Sequence, residues 1–335
     1  MIKIKNPVRN VLFFSLVFII SFFVANRDLS IGSDSYNYAR IFEGHVGGYL
    51  EVSFGYMFLG MMNAVSFFSG SYKIFFFLVS LVVLTGTQIS LKKLFFAGEE
   101  WPENKEILFF LLLSLILLSP FFFALQVNVL RHGLSAPFLM LFYQSFLDKR
   151  YRASLAFGIV SVGFHWTAAY YILLAPLLFL SLRNLIAVAS VMSFLYLFGL
   201  TQTLFTQISN VSGLKYFYQF ASEYGSSSDY QAGIRYDFWL FTSIFIILVA
   251  LLERILRPSY KITKMMLVTF LPFLAIGYLP YSDRLLAFSW FLLPLVALYG
   301  FIFFIRWFGT NFSFVFCAYL LIGSVSYSIY RVFLF

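Results

Sequence analysis

SFGYMFLGMMNAVSFFS, residues 53–69, is apolar enough to cross a bilayer, and whether it crosses decides how the rest of the chain is threaded. If it crosses, Lys92, Lys93 and the cluster Lys149, Arg150 and Arg152 fall on the face opposite the N-terminus. If it stays on one face as a juxtamembrane or re-entrant helix, both clusters share the face of Lys3, Lys5 and Arg9. The second threading gathers most of the 23 Lys and Arg residues on one side, as the positive-inside rule requires. The segment is therefore taken as non-crossing, and the N-terminus as cytoplasmic.

The sequence around it settles the class. Apolar residues make up 61% of the chain, charged residues only 11%, and the mean hydropathy is +0.88. A soluble domain carries about 25% charged residues. Lipid must be the solvent for so much apolar surface. Runs near the length of a membrane helix recur along the chain, without the alternating pattern of a transmembrane barrel. These features predict an all-α polytopic membrane protein, 1–335 forming a single integral membrane domain. Its eleven spans are expected at about 8–26, 72–91, 106–125, 133–148, 153–164, 166–182, 184–203, 237–254, 262–280, 285–305 and 312–333. Two polar stretches lie outside: a first outer loop, 27–71, with short helices of its own, and a second, 204–236. The division of 153–182 into two helices rests on a break near Phe164–His165, where Gly158 and Gly163 weaken the first helix. One tilted helix there would reverse the threading downstream.

Val8–Ala25 is long for a signal-peptide core and lacks a small-residue cleavage site, so it is expected to be a retained anchor. The single cysteine, Cys317, gives neither an internal disulfide nor a cysteine-based metal site. His45, His132 and His165 lack the spacing of a zinc site, no DxD pair is present, and no metal or other cofactor is expected. The net charge of +9 follows the threading, so nucleic acid is not an expected partner. The 47 Phe and 22 Tyr read first as lipid-facing and interfacial aromatics.

Polar residues gather at a few places. The stretch RDLSIGSDSYNYARIFEGHVGGYLEV, residues 27–52, holds Asp34, Tyr38, Glu43 and Glu51 just outside the first span. An acidic residue there can act as general base toward a sugar hydroxyl. The plainer reading is a solvated loop in which Ser33 or Asp34 caps a short helix over 35–43. Asn128, Arg131 and His132 fall within about one helical turn. An arginine at that depth needs a partner or an aqueous cavity, and its planar donors suit a phosphate. Snorkelling to the interface is the plainer alternative. His165 interrupts LAFGIVSVGFHWTAAYY, residues 155–171. It is either a packed, hydrogen-bonded histidine or a cation for a diphosphate. Tyr281, Asp283 and Arg284 form a further knot in LPYSDRLLAFSW, residues 279–290. Asp283 and Arg284 can simply pair with each other.

The order GSDSYNYARIF, EVSFGYMFL, NVLRHGLSAPFLM, a basic KRYR turn and VGFHWTAAYYILLAPL resembles the EpsG family, exopolysaccharide and O-antigen polymerases of the Wzy type. The resemblance spans roughly residues 30–180. The family pattern maps onto Asp34, Tyr38, Glu51, Arg131 and His165, which implies catalytic roles for Asp34, Glu51, Arg131 and His165 and substrate binding for Tyr38; Asn128, His132, Tyr281, Asp283 and Arg284 are candidate substrate-binding residues from their clustering alone. The arginine is commonly followed by Gln in that family, whereas this chain has His132, which leaves the role of that position open. The arrangement is also similar to the GT-C glycosyltransferases, a fold-level analogy. The implied substrate is an undecaprenyl-diphosphate-linked oligosaccharide, polymerised at the periplasmic face of the bacterial inner membrane. Membrane lipid is a partner, and a chain-length regulator is a candidate one. Two other classes compete. A lipid-linked oligosaccharide flippase or transporter would more often show an inverted repeat, and none is found. A polysaccharide O-acyltransferase would need a His-based motif deep in the bundle.

Overall fold

The computed structural model describes residues 6–48, 55–96, 105–211, 232–256, 259–308, 320–325 and 327, and every regular element among them is a helix. Contacts divide the chain into two compact units, Met1–Ala169 with Gly300–Phe335, and Tyr170–Tyr299.

In the first unit α1 (Asn6–Ala25) packs on α4 (Tyr72–Phe96), and α4 packs on α7 (Leu130–Leu147). α7 is the core helix, buried along almost its whole length. α8 (Tyr151–Phe164) lies against it. The two meet closely at a pair of small residues: the Ser135 and Ser161 hydroxyls are 2.8 Å apart. Ser135 Oγ also donates to Ser161 O at 2.9 Å, and Ser161 Oγ to Ser135 O at 3.0 Å. Small hydroxyl residues let membrane helices approach and bond in this way. The polar segment after α1 leads into α2 (Ser35–Val46), the helix expected there, three residues longer than the sequence suggests. α3 (Tyr56–Phe68) follows. With 13 residues it is about 20 Å long, short of the roughly 30 Å hydrocarbon core.

Three predicted spans are bent. α5 (Lys105–Leu118) and α6 (Pro120–Val127) meet at 68°. Pro120 has no N–H to continue the first helix but fits the first turn of the second, where the Ser119 hydroxyl accepts from Phe122 N. In the second unit α9 (Ala168–Leu174), which begins at the boundary, runs into a 3-10 turn Ala175–Phe179. α10 (Leu182–Leu197) and α11 (Leu200–Val211) meet at 84°, with Gly199 at φ +71 between them. α12 (Tyr236–Leu256), α13 (Lys261–Ile276), α14 (Ser282–Trp290) and α15 (Leu293–Phe308) follow, the last two bent by 41°, and residues 320–325 are again helical. Among the described residues three helices are long and apolar enough to cross a membrane, or six if each bent pair is one span. α11 extends into the expected outer loop 204–236, of which 212–231 lie outside the described residues. Cys317 and most of the expected last span also lie outside them.

The outward faces are apolar. α1 exposes Val11, Phe14, Phe18 and Phe22, and α12 exposes Leu240, Ile244, Ile247 and Leu251. Such faces need lipid rather than water. At the other end of α12, the fully buried Glu253 accepts from Ile262 N (3.0 Å), Thr263 N (2.9 Å) and Thr263 Oγ (2.7 Å). It satisfies amides at the start of α13 that the helix itself leaves open.

Candidate functional site

The first polar segment is fastened to the corner between α6 and α7. Gly32 adopts φ +88, open to glycine and strained for other residues. A Cβ there would sit 3.0 Å from both Ser35 Oγ and Val127 O. The next residues reach Asn128, where the Ser33 hydroxyl and the Asp34 backbone N–H both donate to Oδ1 at 2.9 Å. Asp34 stands at the N-cap position of α2 without a side-chain capping bond. Asn128, expected to bind substrate, commits its side-chain oxygen to holding this turn.

α7 begins immediately beyond. Gly133 permits the corner, since a Cβ on it would lie 2.2 Å from Leu125 O. The half-buried Arg131 is on the first turn of α7, beside His132. His165 ends α8 in an extended conformation (φ −150, ψ 114), at the helix break expected from the sequence. The His132 and His165 rings meet with Nε2 atoms 3.0 Å apart, and both residues are 6% exposed. One nitrogen must carry a hydrogen and the other a lone pair. Both rings cannot be imidazolium and keep the contact. Tyr38 is buried, its ring centroid 5.9 Å from that of Phe58 on α3, so it also joins α2 to α3. α3 in turn presses on the end of α8: a Cβ at Gly55 would meet Gly163 O at 2.3 Å. Glu51 lies outside the described residues.

Within the first unit, then, three parts far apart in sequence share one place: the Asp34 turn, the Asn128–His132 turn and the His165 break. The sequence did not single out Arg27, the buried residue beneath them. It follows a hydrophobic span, where an arginine ordinarily reads as interfacial. Only the burial of the loop itself distinguishes it.

The second unit holds its own polar knot. Tyr281 adopts φ 61, and the Arg284 guanidinium lies over its ring, 4.4 Å from the centroid. Asp283 interacts electrostatically with both Arg284 and Arg235. Arg235 forks onto Asp237 at 3.0 and 2.6 Å, which holds its guanidinium pKa above the ordinary value. Its backbone N–H donates to Tyr196 Oη at 2.8 Å. Between α9 and α13 the same unit has an apolar groove of about 500 Å³, lined by Leu174, Met192, Phe205, Leu271 and Ile276 among others.

A protein-family model described as the EpsG family matches residues 10–333. No curated protein and no solved structure matches the chain.

Proposed function

The chain belongs to the EpsG family, a Wzy-like polymerase family with glycosyltransferase-like activity, and on that premise we propose that it joins lipid-diphosphate-linked oligosaccharide units into polysaccharide. The acceptor sugar hydroxyl gives its proton to the Asp34 carboxylate as its oxygen attacks the anomeric carbon of the donor. The bond from that carbon to the lipid diphosphate breaks, and the diphosphate leaves with the electron pair. Arg131 holds the diphosphate through its planar fork. His165 stabilises the charge growing on the leaving oxygen. Preorganised donors of this kind supply several kcal/mol, on the order of 3, in a site shielded from water. Glu51 is the second candidate for the base. Tyr38 and His132 line the substrate in the first unit; Tyr281, Asp283 and Arg284 form a separate candidate binding cluster within the second.

The observation that carries this reading is the pair of bonds from Ser33 and Asp34 to Asn128, one turn before Arg131 and His132. They tie the segment carrying Asp34 to the turn that leads into Arg131, which supports a shared role for the two side chains. The finer parts of the proposal are an undecaprenyl carrier, O-antigen, capsule or exopolysaccharide as product, the periplasmic face of the inner membrane, and eleven spans in a GT-C-like arrangement. The short α3 supports a first outer loop that returns without crossing.

The test is complementation of a deletion host by the Asp34→Asn variant. Unpolymerised units carried on lipid should accumulate while the variant inserts normally. Normal chain-length ladders would rule Asp34 out as the base. A deletion host that accumulates its units on the cytoplasmic face would instead support a flippase.

A further inference from the structure

Arg27 is 3% exposed, yet among the described residues it forms no ion pair. Its Nη1 donates to Val24 O at 2.6 Å, near the C-terminus of α1. Its Nη2 donates to Ser35 Oγ at 2.9 Å and to Val127 O at 3.2 Å, the last residue of α6. The guanidinium also lies over the Phe76 ring, 4.4 Å from the centroid. Burial lowers its pKa to about 10, the largest effect, with Tyr72 acting the other way. It is therefore still a cation at neutral pH. Two helix C-termini, each with unsatisfied carbonyls and partial negative charge, and an aromatic face take the place of a carboxylate.

Ser35 completes the arrangement. Its hydroxyl accepts from Arg27 and lies 2.6 Å from Ile31 O and 2.8 Å from Val127 O. The turn carrying Asp34 is thus fixed on both sides: through Ser33 and the Asp34 amide to Asn128, and through Ser35 and Arg27 to Val127.

We propose that Arg27 is a positioning residue, a buried cationic clasp that sets the Asp34 turn on the α6–α7 corner and so fixes the base relative to Arg131. The functional consequence rests on the polymerase reading above, while the clasp itself can be tested without any substrate. In Cys317→Ser protein in native membranes, cysteines replacing Ser33 and Asn128 report the closeness of the turn to the corner. Cysteines replacing Ser135 and Ser161 report α7–α8 packing in the same unit. With Arg27 present both pairs should form disulfides on mild oxidation.

Arg27→Met should slow the first pair about tenfold, through loss of charge-assisted bonds at both ends of the clasp, and leave the second unchanged. Arg27→Lys should lie between, because it keeps the charge but not the fork. Ser35→Ala should add little once Arg27 is gone. In polymerisation of lipid-diphosphate-linked units extracted from the deletion host, Arg27→Met should lower kcat with KM little changed. An unchanged first pair in Arg27→Met overturns the clasp. Loss of both pairs overturns it too, since Arg27 would then be needed for folding at large. A slowed first pair with full activity in Asp34→Asn leaves the clasp standing and removes the catalytic reading instead.

Discussion

The Nε2 atoms of His132 and His165 lie 3.0 Å apart where the start of α7 meets the end of α8, so the tautomer of one ring dictates that of the other. His132→Gln keeps a group that can donate or accept at this contact, and His132→Leu does not. The glutamine variant should retain most polymerising activity, and the leucine variant should fall toward His165→Ala. Loss of a preorganised donor to a leaving oxygen costs about 10²- to 10³-fold in kcat. Chain-length ladders from the three variants in a deletion host measure this. Equal loss in His132→Gln and His132→Leu would mean that the His132 imidazole is needed for more than its contact with His165.

Arg131→Ala should abolish polymer while membrane insertion is unaffected. Arg131→Lys should also be weak, because a point charge does not reproduce two parallel donors. Polymer blotting together with quantified membrane protein separates activity from expression. Full activity in Arg131→Lys would reduce the role of this side chain to a simple charge.

Asn128 distinguishes positioning from binding. Its Oδ1 accepts both bonds from the Ser33–Asp34 turn. Asn128→Asp preserves the acceptors and Asn128→Ala removes them. The aspartate variant should therefore keep more turnover than the alanine variant, with the alanine defect mainly in kcat. If the amide nitrogen instead contacts substrate, the two variants should fall together and chiefly in KM.

Glu253→Ala should destabilise the second unit by leaving buried amides at Ile262 and Thr263 without an acceptor. Each such loss costs about 1–3 kcal/mol. Glu253→Gln keeps one side-chain oxygen and should lie between. Thermal melts in detergent measure the difference, and equal melting temperatures for all three proteins would contradict it.

The membrane class was legible because composition alone decides it. The break at His165 was legible too, since two glycines and a polar ring interrupt an apolar run. The bends at Ser119 and Gly199 were not, because a bent pair of helices is as apolar as one straight span. Pro120 carried a signal for the first bend, and hydropathy passes over it. Asp34 and Arg131 were readable as polar groups in awkward places. Arg27 was not, since its setting depends on Val127, a hundred residues away, which contributes only a backbone carbonyl. A carbonyl leaves no trace in side-chain chemistry.

The setting of Arg27 limits how this protein can admit a sugar chain. Lifting the Asp34 segment would strand a guanidinium in an oily interior and leave the ends of two helices bare. On the proposed reading that segment is a fixed anvil rather than a hinged door: the polymer is brought to it, and the part that yields to let a bulky glycan in or out lies elsewhere in the chain.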